Sequence, residues 1–241
     1  DQAPTCNSQP HMYFETNDLY DRNHIIASAV VDAQRDIAEL GELASRARAA
    51  VESVPTLALL DNGLLLYGAQ NSSNHHGYEA ALSSYLRELD TLRASGAALA
   101  GVVDRPRASQ VLGLVHLARL HPEEISSESL ANLGSFERIN DAMLFRDLAP
   151  GERSALFVSG AHENLDRYQH GGHKICFFYV NTGHVDQPYL LRVEVPEWVV
   201  QDVEKLHLVH AGVVEQCHVT GGFPYVLMRA HELAVIRTRD R

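Results

Sequence analysis

Thr56-Leu57-Ala58-Leu59-Leu60-Asp61-Asn62-Gly63 is a short apolar run that ends on an aspartate and a turn dipeptide. Pro55 stands before it and Asn62-Gly63 after it, so residues 56–60 read as a buried strand with Asp61 at its tip. Every residue before Asp61 is apolar or threonine, which predicts a central position in a sheet covered on both faces. Upstream, apolar residues recur at Ile26, Val30, Ala33, Ile37, Leu40, Ala44, Ala47 and Val51. These spacings of three and four predict one helix over residues 22–52. Asp32, Asp36 and Glu39 form a neighbouring acidic stripe on it. A carboxylate from this helix and one from the strand tip can meet. Two carboxylates that meet repel unless a cation or a proton lies between them. Hard divalent ions such as Mn²⁺ and Mg²⁺ take oxygen ligands of this kind. Glu39 and Asp61 therefore suggest a metal-dependent phosphodiester site, with Glu42, one turn on, as the rival of Glu39. The plain reading, aspartate opening an Asn-Gly turn, stands beside it.

Downstream, residues 64–67 continue the apolar segment and residues 68–77 read as a loop in which His75-His76 is solvated. A second helix is expected over residues 78–94, a buried strand over 98–103, an exit loop at Arg105-Pro106-Arg107, and a third helix over 109–119. Residues 121–151 are polar and broken, so short helices and connections are expected there. Residues 155–158, 175–180 and 189–195 read as strands, the last by its alternation at Leu191, Val193 and Val195. Pro196-Glu197-Trp198 opens a helix expected to run to Cys217. Gly221-Gly222-Phe223-Pro224 is a turn, followed by a short helix over 225–231 and a final strand over 233–237. Helices alternating with strands predict an α/β sheet domain.

The chain has 241 residues, 45% of them hydrophobic and 21% charged, as in an ordinary globular domain with a real core. No apolar run reaches membrane-spanning length, so no membrane association is expected. Asp1-Gln2-Ala3-Pro4 lacks the basic start and apolar core of a signal peptide. Cys6, Cys176 and Cys217 are widely spaced and odd in number. That argues against a disulfide framework and a structural zinc site, and the expected location is the cytoplasm. The net charge of −11 counts against a global nucleic-acid footprint. Local basic stretches exist at Arg105-Pro106-Arg107, whose arginines could contact phosphates, and at Arg237-Thr238-Arg239. Asp104-Arg105-Pro106-Arg107 reads equally as an ion-paired loop. His170-Gly171-Gly172-His173, with His162 nearby, invites a zinc reading, but Gly-Gly would hold a metal poorly.

Three segments together resemble the NurA nuclease family: Thr56-Leu57-Ala58-Leu59-Leu60-Asp61-Asn62-Gly63-Leu64-Leu65, Gly101-Val102-Val103-Asp104-Arg105-Pro106-Arg107-Ala108-Ser109, and Gly222-Phe223-Pro224-Tyr225-Val226-Leu227-Met228-Arg229-Ala230-His231-Glu232-Leu233-Ala234. The resemblance extends over residues 9–236. It implies an RNase H-like fold, a mixed central sheet flanked by helices, forming a single NurA-like domain over residues 1–241. It implies an Mn²⁺-dependent (or Mg²⁺-dependent) deoxyribonuclease, a 5′-to-3′ exonuclease and single-strand endonuclease. DNA-end resection or defence against foreign DNA would be its setting, with a hexameric HerA-type translocase as partner and a homodimer as the working form. Glu39 looks like the family's helix-borne acidic ligand, Asp61 like its strand aspartate and His231 like its late histidine. Tyr179 and Tyr225 compete for a late tyrosine. The family's first motif, Asp-Gly-Ser on an early strand, does not occur in this sequence. The expectation is a domain lacking that strand, through absence of an upstream segment or loss of one ligand. Asn62 replaces the family's usual glycine, and asparagine accepts the same turn geometry.

His231 could orient the nucleophile or carry a proton, since imidazole titrates near neutrality. A tyrosine hydroxyl could bind phosphate. The alternative function is a non-catalytic scaffold or DNA-end-binding subunit that keeps the fold without a full site.

Overall fold

The chain was analysed as a computed structural model, which describes residues 28–50, 54–66, 75–126, 129, 136 and 138–234. Helix α1 (Ser28–Ala49) leads to strand β1 (Leu57–Leu60), helix α2 (His75–Ala94) and strand β2 (Ala98–Asp104). Helices α3 (Gln110–Leu117) and α4 (Asp141–Leu144) precede the short strand β3 (Phe157–Val158) and strands β4 (Ile175–Asn181) and β5 (Leu190–Pro196). Helices α5 (Glu197–Val200), α6 (Val203–His218) and α7 (Tyr225–Ala234) follow.

The strands form one five-stranded mixed sheet in the order β1-β2-β5-β4-β3. β1 and β2 are parallel, with Leu60 opposite Gly101. β2 runs antiparallel to β5, with Gly101 opposite Glu194. β5–β4 and β4–β3 are antiparallel as well. Helices flank this sheet, which is the RNase H-like α/β arrangement expected from the sequence.

Side chains alternate between the two faces. On one face lies the α1–α2 pair, whose Leu40, Ala44, Leu82, Tyr85, Leu89 and Leu92 enter the core. On the other face lies α6, through Val209 and Val213, with the His210 and Phe178 rings 6.2 Å apart. Gly212 sits against Leu57, and a side chain there would strike it.

The expected position of the Asp61 strand is corrected. Among the described residues β1 is an edge strand, not a central one. Its residues are nevertheless buried or half-buried. Among the described residues, helices α1 and α6 pack against β1. The helix expected over 196–217 is two helices. The chain breaks at Gln201-Asp202, where the Asp202 carboxylate accepts the Lys205 N–H at 3.2 Å and caps α6. Leu233 and Ala234, read as strand, end α7, and residues 235–237 lie outside the described residues. The strand expected over 155–158 contracts to Phe157–Val158. His75-His76 begins α2 and is not loop. The short helices expected within 121–151 are present at Pro122–Glu124 and α4. Cys6 lies outside the described residues. Among the described residues no helix is long and apolar enough to cross a membrane.

Candidate metal centre at the ends of two parallel strands

Because β1 and β2 are parallel, their C-terminal ends open at the same edge of the sheet, where ligands of α/β sheets commonly bind. Both strands finish on aspartate. Asp61 follows Leu60, and Asp104 is the last residue of β2. After Asp61 the chain turns back across the sheet. The Asn62 side chain accepts the Gly63 N–H at 2.9 Å. The Asn62 carbonyl lies over Gly101, where any Cβ would run into it. Leu64, Leu65 and Leu66 then enter the core. Two hydrogen bonds pin this return. The Leu64 N–H donates to the Glu194 carboxylate at 2.8 Å, and the Leu66 N–H to the Tyr168 hydroxyl at 2.9 Å.

Electrostatic coupling links Asp61 to His231 and Asp104, and Glu39 to Asp61. Partial burial raises the Asp61 carboxyl above its ordinary value; the His231 imidazole opposes the rise and the Asp104 carboxylate adds to it. Burial also raises Glu39, with Arg35 opposing and Asp36 and Asp61 adding. Arg35 lies 3.5 Å from Asp32, 3.3 Å from Asp36 and 3.7 Å from Glu39, so it is the counter-ion of the acidic stripe. Glu42 instead forms a 2.7 Å pair with Arg46. Glu39 comes from a helix, Asp61 and Asp104 from strand ends, and His231 from α7.

The two candidate tyrosines are placed differently. Tyr179 is buried on β4, where its hydroxyl donates to Asp141 at 2.9 Å and its ring stacks on Phe145 at 5.0 Å. Tyr225 is 40% exposed and opens α7, the helix that carries His231. At 3.6 residues per turn the two side chains point about 120° apart around that helix. Arg105 and Arg107 are both exposed on the loop after β2. Arg105 has a left-handed backbone, with φ of 46° immediately before Pro106. That conformation is costly for a non-glycine residue and concentrates at functional positions.

Several residues of this region were not singled out from the sequence. The Tyr189 hydroxyl donates to Asp104 at 2.6 Å, and Gly222 packs flat against the Tyr189 ring. This joins the end of β2 to the turn that starts α7. Asp104 repeats the Asp61 pattern of an apolar strand closed by aspartate, and that repetition was a usable signal. Arg192 and Glu194 are buried charges on the middle strand β5. Their spacing of two on an otherwise apolar strand puts them on one face.

Mg²⁺ and Mn²⁺ are commonly bound by one or two protein carboxylates, with water and substrate phosphate completing the shell. The Glu39 and Asp61 carboxylates are hard oxygen donors of the kind that suits such an ion. Among the described residues no three His, Cys, Asp or Glu side chains stand close enough to hold a metal by themselves. His170 and His173 do not converge on a zinc site. His173 is buried with its Nε2 3.0 Å from Asp90, and His170 is exposed.

Comparison with protein families matches residues 6–236 to the NurA domain. No curated protein and no solved structure matches the chain.

Proposed function

From the premise that the chain belongs to the NurA domain family, a nuclease family, we propose that it is an Mn²⁺- or Mg²⁺-dependent deoxyribonuclease whose site lies at the ends of β1 and β2. What supports this reading is the placement of Asp61 at the end of β1 and of Glu39 on α1, the helix packed against that strand. Carboxylates in such positions attract positive charge, and a hard divalent ion supplies it.

The residues divide the work by chemistry. Glu39 and Asp61 hold the ion. When bound, a hard divalent ion lowers the charge of a scissile phosphate and acidifies water. His231, carried on α7, orients the attacking water or takes its proton. Tyr225, exposed on the same helix, contacts phosphate. Arg105 and Arg107 contact the DNA backbone and set its register without reading sequence. The same reading carries the finer assignments: 5′-to-3′ exonuclease and single-strand endonuclease activity, a homodimer, a HerA-type translocase as partner, and DNA-end resection or defence in the cytoplasm.

The test is manganese-dependent cleavage of end-labelled duplex DNA by the purified protein. Asp61→Ala and Glu39→Ala should each lower the rate by about 10–100-fold or more, the scale on which metal sites lose function with a supporting group. Glu42→Ala should be nearly silent, and chelation should abolish cleavage. Equal rates for wild type and Asp61→Ala would refute the site, and an inactive wild type that carries the family's first motif upstream would favour the scaffold role.

A further inference from the structure

The middle of the sheet contains an ion pair that stability does not explain. Arg192 and Glu194 are 4% and 3% exposed. The Arg192 guanidinium reaches Glu194 Oε1 at 2.9 Å from Nε and 2.8 Å from Nη2. Its Nη1 donates to Gln110 at 3.0 Å, and its plane lies 3.7 Å from the Phe177 ring centroid. An apolar pair of similar volume would commonly be as stable or more so, because desolvating two charges offsets their attraction. The carboxylate oxygen that Arg192 leaves free does something an apolar side chain could not. Glu194 Oε2 accepts the Leu64 N–H at 2.8 Å. It also stands 2.9 Å from where a Cβ of Gly63 would be. Gly63 is thus the residue that lets the carboxylate close over the turn.

We infer that the Arg192–Glu194 pair is a positioning element for Asp61: Glu194 grips the return of the Asp61-Asn62-Gly63-Leu64 turn, and Arg192 fixes Glu194 at the correct height above the sheet. The inference rests on the reading of Asp61 as a metal ligand. Glu194 is not itself a ligand, since Oε1 is engaged by Arg192 and Oε2 by Leu64 in the buried interior. It acts on the ion only through the backbone two and three residues beyond Asp61. Outer groups of this kind orient ligands, and their loss typically weakens metal affinity by about 10–100-fold.

The experiment compares two double variants that both remove the ion pair. Arg192→Met with Glu194→Gln keeps an uncharged acceptor for the Leu64 N–H. Arg192→Met with Glu194→Leu removes it. Manganese affinity is measured by electron paramagnetic resonance of free Mn²⁺, alongside thermal unfolding and the Leu64 amide resonance. The glutamine variant should bind Mn²⁺ nearly as well as wild type and keep the Leu64 amide shifted. The leucine variant should fold, lose that shift and bind Mn²⁺ at least about 10-fold more weakly. Equal affinities in the two folded variants would overturn the inference. Should the leucine variant not fold, Gly63→Ala decides, because its methyl group pushes against Glu194 Oε2. It should weaken Mn²⁺ binding with little change in melting temperature, and unchanged binding would overturn the inference. Asp61→Ala separates the two levels. If it abolishes binding while the leucine variant does not, the tether alone fails. If it leaves binding intact, the metal-site reading fails and the tether with it.

Discussion

The Tyr179 hydroxyl donates to a buried Asp141 carboxylate at 2.9 Å, and the same carboxylate accepts the Val111 and Leu112 N–H groups at 3.1 and 2.9 Å. Asp141 therefore caps α3 from a distance, and Tyr179 holds it there. Helix starts need acceptors for their free N–H groups. Tyr179→Phe should destabilise the fold by about 1.5–3 kcal/mol, the scale of one hydrogen bond to a charged group. Its cleavage rate per folded molecule should match wild type. Urea unfolding and the end-labelled duplex assay measure the two separately. A large loss of rate with normal stability would return Tyr179 to the chemistry.

Asp61, Glu39 and Asp36 all have carboxyls raised above their ordinary values, burial being the first cause in each. Between the unfolded and folded values the folded state binds more protons than the unfolded state. Stability of the metal-free protein should therefore fall as pH rises through that window, just above the ordinary carboxylate range, and recover on acidification. Asp61→Asn removes one such group and should raise the melting temperature of metal-free protein at neutral pH. Added Mn²⁺ should stabilise wild type at neutral pH and lose that effect on acidification, since protons compete for its ligands. Melting temperatures measured against pH, with and without Mn²⁺, check both slopes.

Gly101 is where the Asp61 turn crosses the sheet, with the Asn62 carbonyl and Leu64 filling the space a side chain would need. Gly101→Ala should cost about 1–3 kcal/mol by overpacking. It should also displace Asp61 and weaken Mn²⁺ binding. A variant with normal stability and normal binding would show that the turn has room to move.

Cys217 is buried in α6, and burial pushes its thiol up to about 12. Cys176 is buried and raised for the same reason. Neither should react with Ellman's reagent at neutral pH until the protein unfolds, because the thiolate is the reactive form. Fast labelling of Cys217 in native protein would contradict this packing.

The sequence made the local elements readable where one periodicity ruled. The three- and four-residue spacing of α1 and the apolar runs of β2 and β4 leave little choice. The place of β1 was not readable, because an apolar strand looks alike whether strands or helices cover it. Arg192 and Glu194 were not singled out from the sequence. Charges alternating with Leu191, Val193 and Val195 look like a solvent face, yet their mutual pairing allows them into the core. The break between α5 and α6 lay hidden because Asp202 reads equally as a surface residue or a cap. Of the candidate centre, Asp61 and Glu39 were legible as carboxylates on elements that could meet. Tyr189 was not, since its partner Asp104 is far away in sequence and only the β2–β5 pairing brings the two together.

That pairing also governs when the centre comes into being. Glu39, Asp61, Asp104, Tyr189 and His231 are drawn from almost the full span of the described chain, and no local segment holds more than a fraction of them. Gly101 must find Glu194 before the Leu64 N–H has its acceptor. Such distant contacts close late, because the entropy of looping must be met before they form. A nascent or half-folded copy can hold α1 and β1 and still lack an ordered Asp61. For the proposed nuclease this topology is a safeguard in time: the Asp61 turn has its Glu194 anchor only once the β2–β5 pairing has closed, and loses it when that pairing opens.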